Sequence, residues 1–307
     1  IHPDGVNLGC SAAWYPVPGS ISVGRNSFVD FGSTFEESIF RSYPDCVLDE
    51  PASMTVHVEN AAGLVFGSNL PQVDDTTFAA SMASWAHVMA APALVAEPIT
   101  SDATLITAAS LQDRFRPLVT DYYLPTLEHL RHFFPRIDGL TLFGTNSGFG
   151  SSFDPVATPM TDGRVVVVLQ PYYLSAVVEN PFNDFLFNRQ AMVSSLFGVS
   201  GGSFGISYTD NISYFLWAHD TAHADSAAMR TLLAQGLPQI GPGVYVYSSQ
   251  TPEERYPLAL FLYQVYVDQG EDAVIDLLNR TLDEAPRLNR LPLSAAQQWI
   301  QEAAYDS

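Results

Sequence analysis

Apolar and polar positions alternate at several distinct periods along this chain. Short runs of alternating character in the first part, Met54–Glu59 (MTVHVE) and Gly63–Gly67, predict β-strands. Thr76–Ala91 has apolar residues at helical spacing after the Asp74-Asp75 pair, which predicts a helix with an acidic start. Ser101–Phe134 is predicted to be mostly helical, with a break near Pro117 or Pro125. The period then shortens. Gly139–Gly144 (GLTLFG) predicts a strand, and Thr145–Asp162 a Gly/Ser-rich loop. Arg164–Gln170 (RVVVVLQ) predicts a strand buried on both faces, and Ser203–Tyr208 an edge strand.

Helical spacing dominates the rest. Asp210 or Asn211 can cap a helix through Ile212–His223, and Asp225 or Ser226 one that ends at Gly236. Thr251-Pro252-Glu253-Glu254 is a helix start, with Pro in the first turn and acids on the positive end of the dipole. The helix it opens, Pro252–Gln269, is apolar nearly all round and is expected to be central. Glu271–Asp283 and Ser294–Tyr305 complete the set. The expected fold is α+β: a small mixed sheet packed on a largely helical C-terminal half. The expected division is a β-rich segment, 1–75, followed by an α+β domain, 76–307.

Composition narrows the setting. Hydrophobic residues make up 47% of the 307 positions and charged residues 15%, enough for a packed core. No apolar run reaches the roughly 18 residues of a membrane-spanning helix. There are 33 acidic and 13 basic side chains, net −20, and every base is arginine. A chain this acidic repels phosphate backbones, so nucleic acid is not an expected partner. The first residue is Ile, which fits either removal of a leader or a trimmed start, and a secreted or periplasmic protein is the expectation. In such a setting the only cysteines, Cys10 and Cys46, are expected to form one disulfide, worth about 4 kcal/mol of loop entropy; two separate buried thiols are the alternative. Asn211 and Asn279 begin N-x-S/T triplets open to glycosylation in a eukaryotic secretory host.

The densest candidate chemistry is His219-Asp220-Thr221-Ala222-His223. On a continuous helix, positions i and i+4 share a face, and two imidazoles so placed can hold one zinc ion. A neighbouring carboxylate can then take a proton from the metal-bound water. Leu232-Leu233-Ala234-Gln235-Gly236-Leu237-Pro238 resembles the W-L-x-E-G-L-A stretch of gluzincin metallopeptidases, and Tyr256–Gly270 resembles the helix that follows it there. The resemblance spans roughly residues 110–285. It implies a zincin-like fold and zinc-dependent hydrolysis of peptide or protein substrates. By the same resemblance His219 and His223 are metal ligands, Asp220 is the base, Tyr256 lies near the site, and Gln235 stands at the third-ligand position. This chain departs from the family at two places: Asp220 stands where it has Glu, and Gln235 replaces a Glu ligand. Glu254, Glu253 and Asp225 are candidate substitutes, and the third ligand stays open. A zincin-fold protein without activity, binding protein or glycan, is the second expectation.

Two other patterns compete. Gly198-Val199-Ser200-Gly201-Gly202 fits G-x-S-x-G, the serine elbow of hydrolases, provided that Val193–Phe197 is a strand and a helix follows. Leu216–His223 resembles the L-L-x-H-D-x-x-H of HD phosphohydrolases, which are all-helical and need a further upstream histidine ligand.

Overall fold

A computed structural model describes residues 6–8, 52–59, 63–83, 86–144, 156–158, 160, 163–169, 188–198, 208–235, 256–289, 291 and 293–305. The strands are β1 (Val6–Leu8), β2 (Ala52–His57), β3 (Val65–Ser68), β4 (Gln72–Asp74), β5 (Thr77–Ala83), β6 (Val88–Ala91), β7 (Leu94–Pro98), β8 (Ala103–Ala108), β9 (Gly139–Gly144), β10 (Val156–Thr158) and β11 (Arg164–Leu169). The helices are α1 (Gln112–Leu118), α2 (Leu124–Phe133), α3 (Gln190–Leu196), α4 (Tyr208–Thr221), α5 (Ser226–Gln235), α6 (Pro257–Gln269), α7 (Glu271–Leu288) and α8 (Leu293–Ala303). The fold is mixed α+β, with small sheets and a helical C-terminal half.

The central sheet has the order β10-β11-β9-β8-β7. Its β8, β9 and β11 run parallel, and an antiparallel strand closes each edge. Alternate residues of one strand face opposite sides. Val165, Val167 and Leu169 of β11 join the large core shared with the helices, as do Leu105 and Leu142. Val166 and Val168 pack with Phe143, Ile106 and Met89 on the other side. The unbroken apolar run of β11 follows, because neither side of the strand meets water.

Two antiparallel three-stranded sheets, β1-β6-β3 and β2-β5-β4, precede this core. β5 pairs with β2 and β4, and β6 with β3, so strands on either side of residue 75 share sheets. The helix expected over Thr76–Ala91 is replaced by β5 and β6. Asp74 starts a hairpin turn instead: its Oδ1 accepts the backbone N–H of Thr76 at 2.8 Å. The start of Ser101–Phe134 is likewise a strand, β8, and only the part after it is helical. The break near the prolines takes the form of a π turn over Val119–Tyr123.

The helices that carry the candidate site are tied to one another. Arg136, just past α2, donates to Asp283 of α7 at 2.7 Å, and Asn279 Nδ2 of α7 donates to the Phe133 carbonyl at 2.7 Å. Asn211 of α4 accepts the Leu258 N–H at the start of α6 at 3.1 Å. The N-x-S/T triplets are absorbed into this packing. Asn211 is 2% exposed, and the Asn279 amide is spent on α2 and its own helix. In the folded chain both asparagine side chains are engaged in packing contacts. Cys10, Cys46, Ser200 and Glu254 lie outside the described residues. Among the described residues no helix is long and apolar enough to cross a membrane.

Candidate functional site

His219 sits near the end of α4, only 6% exposed. Phe133 meets its ring edge-on at 5.0 Å between centroids, and Tyr266 of α6 does so at 5.5 Å. Its polar neighbours come from two other helices. His129 Nε2 of α2 lies 3.2 Å from His219 Nδ1. Glu271, the first residue of α7, brings Oε1 to 3.1 Å from His219 Nε2. That approach lies off the line a hydrogen bond needs, and His219 Nε2 makes no other hydrogen bond. The same Glu271 oxygen lies 2.9 Å from His132 Nε2 of α2, whose side chain is 53% exposed. His129, His219, Glu271 and His132 thus form a chain of polar contacts from the buried interior to solvent.

Local sequence explains each placement. His129 and His132 are three residues apart on α2 and so lie on neighbouring positions of its surface. Gly270 separates α6 from α7 at φ +93, a backbone state that L residues rarely adopt, and this sharp turn starts α7 at Glu271. The Glu271 carboxylate also sits at the positive end of the α7 dipole.

Electrostatics keep the buried rings uncharged. Burial pushes the His129 imidazole down to about 3, helped by the nearby Arg189 guanidinium. Burial also holds His219 below the usual histidine value, with Glu271 pulling it partly back. Both rings are neutral at pH 7, and each carries one nitrogen lone pair.

The sequence-based site is only partly assembled. The helix ends at Thr221, two residues before His223, which is exposed and left-handed at φ 49; Ala224 follows at φ 60. The N–H of His223 donates to the Asp220 carbonyl and that of Ala224 to the His219 carbonyl, both at 3.0 Å, in a helix-terminating turn. Asp225 then starts α5 by accepting the Ala228 N–H at 2.8 Å. The shared helical face expected for His219 and His223 therefore does not form.

Asp220 is not poised as a free base either. Its Oδ2 lies 2.5 Å from the Arg189 guanidinium, which is fully buried. Tyr256 is a core residue, 3% exposed, with its ring 4.5 Å from that of Tyr214. The tyrosine beside His219 is Tyr266, whose hydroxyl donates to the Ala224 carbonyl at 2.9 Å. Gln235 ends α5, and its side chain lies outside the described set. The zinc arrangement of the resembled family therefore does not fit these residues. The expected strand before Ser200 is helix α3, so the serine-elbow pattern lacks its strand. The central sheet excludes the all-helical architecture of the HD phosphohydrolases.

The reading from sequence missed His129, His132, Glu271 and Tyr266. The one local signal was the histidine pair spaced three apart in Glu128–His132. Among the described residues no group of three or more His, Cys, Asp or Glu side chains is set to hold a metal ion as it stands. In sequence the chain matches no known protein-family profile and none of the curated proteins.

Proposed function

We propose that this chain is an exported, zinc-binding protein of the hydrolase type whose site is centred on His219. The supporting observation is the surroundings of that ring. A buried, neutral imidazole meets a second imidazole at 3.2 Å and a carboxylate at 3.1 Å, contributed by three separate helices. Nitrogen and oxygen donors suit zinc, though His129 and Glu271 meet opposite nitrogens of the His219 ring, so an ion would take His219 together with only one of them. The substrate class of this reading is peptide or protein, after the gluzincin resemblance. Elemental analysis of protein purified without added metal tests it. Zinc near one equivalent in the wild type, lost in His219→Ala, supports the reading; a metal-free wild type that takes up no zinc on titration refutes it.

A second reading has its own support. The engagement of Asp220 with Arg189 removes the residue expected to act as base. A zinc-binding protein without peptidase activity is consistent with that pairing. Incubating the zinc-loaded chain with a mixed peptide substrate separates the two readings: cleavage that a chelator abolishes supports hydrolysis, and intact peptides support binding alone.

A further inference from the structure

We infer that the sheet β1-β6-β3 is an acid-released layer of this fold, held on the central sheet at His87 and let go when that ring takes up a proton. No residue of the His219 site takes part in it, so it stands or falls apart from the zinc reading.

The layer is attached through a small contact. Met89 of β6 packs with Ile106, Phe143, Val166 and Val168 on the face of the central sheet opposite the large helical core. Gly67 of β3 comes so near β8 that a Cβ there would lie 2.8 Å from Ile106 Cγ2. The described cluster is far smaller than the core on the other face. Elements joined by few buried apolar contacts are the ones that open below the cost of global unfolding.

His87 stands just before β6, inside this junction. It is fully buried, and its ring centroid lies 4.6 Å from that of Phe143 on β9. Its backbone is tied to the end of β3. The His87 N–H donates to Asn69 Oδ1 at 2.7 Å, and its carbonyl accepts the Ser68 hydroxyl at 2.7 Å. Asn69 is held in turn from the central sheet, where Arg164 of β11 donates to its carbonyl at 3.0 Å. Hydrating the ring therefore means parting β3 and β6 from β9 and β11.

A neutral imidazole suits this place and an imidazolium does not. Phe143 of β9, Ser68 and Asn69 at the end of β3, and the β6 residues Val88–Ala91 carry no ionisable group. The charged side chain tied to the junction, Arg164, is itself cationic. Burial pushes the packed ring down to about 3. In the opened layer it returns to the usual value near 6.5. Between these values the open form holds a proton that the closed form lacks, so the closed form is favoured above pH 6.5 and loses ground as pH falls. From pH 7 to pH 5 the opening constant rises about 25-fold.

The test is hydrogen exchange of this chain at pH 7, 6 and 5, corrected for the intrinsic pH dependence of exchange, in the wild type, His87→Leu and His87→Gln. Both variants remove the titrating ring, so either one that folds serves as the reference. The amides of β3 and β6 are expected to open more readily than those of β9 and β11. Their opening constant is expected to rise about 25-fold more in the wild type than in the reference between pH 7 and pH 5. The helical circular dichroism signal of the wild type should persist at pH 5. Exchange of β3 and β6 in step with β9 and β11 would make the opening global and overturn the inference. An opening constant with the same pH dependence in the wild type and the reference would overturn it as well.

Discussion

Replacing Ala224 by glycine decides whether His223 faces the same way as His219. Ala224 has φ 60, follows a left-handed His223 and is exposed, so its methyl group contributes no packing. A non-glycine residue held left-handed costs about 1–2 kcal/mol. Glycine relieves that cost and returns roughly 0.5–1 kcal/mol through the larger entropy of its unfolded state. The net expectation is a gain of roughly 0.5–1 kcal/mol. If the helix instead continued through His223, as the His-Asp-x-x-His spacing suggests, the same change would cost about 1 kcal/mol. The two geometries thus predict opposite signs, separated by about 1.5–2 kcal/mol. Urea unfolding at pH 7, followed by tryptophan fluorescence and circular dichroism, reads the difference. With m of about 2–3 kcal/mol/M, the midpoint should rise by roughly 0.2–0.5 M at unchanged m. A midpoint that falls would refute the turn and restore the shared helical face.

Other outcomes follow from the same packing. Asp220→Ala removes the carboxylate beside a fully buried guanidinium. Loss of one partner in a buried pair costs about 3–5 kcal/mol, and the partial exposure of Asp220 brings the expectation to roughly 2–3 kcal/mol; a change below about 0.5 kcal/mol in denaturant unfolding would contradict a structural role. Gly270→Ala forces a side chain into φ +93 and should cost at least about 1 kcal/mol, read as a lower thermal midpoint. His87 is fully buried against Phe143, and burial lowers its folded value to about 3. Between that value and the unfolded one near 6.5 the unfolded chain binds more protons, so stability falls as pH drops through 6.5. The loss from this group reaches about 2 kcal/mol at pH 5. Relative to His87→Leu, the wild type should therefore lose about 2 kcal/mol between pH 7 and pH 5; parallel pH profiles would contradict the burial.

Where residues were legible from sequence, local chemistry decided their state. β9 runs over Gly139–Gly144 as expected, and β11 over Arg164–Leu169, because a run of β-branched residues between polar ends fits only a strand buried on both faces. Asp225 and the Glu271 start were readable as helix beginnings for the same reason. Thr76–Ala91 misled because its apolar residues fall at helical spacing after an acidic pair, while pairing with β2, β3 and β4 decides its conformation. His219 was found, but its partners were not. His129 lies 90 residues before it, and His132 and Glu271 stand 139 apart. Only the docking of α2 and α7 beside α4 brings them together, and no local pattern encodes that docking. The His219–His223 spacing failed for a local reason: two left-handed residues end the helix first.

X-ray absorption at the zinc edge of the zinc-loaded protein addresses the central claim most directly. The account predicts a first shell of nitrogen and oxygen only, at about 2.0–2.2 Å, with outer scattering from imidazole. A sulfur shell near 2.3 Å, which would implicate Cys10 and Cys46, or a spectrum without imidazole scattering would contradict a site centred on His219.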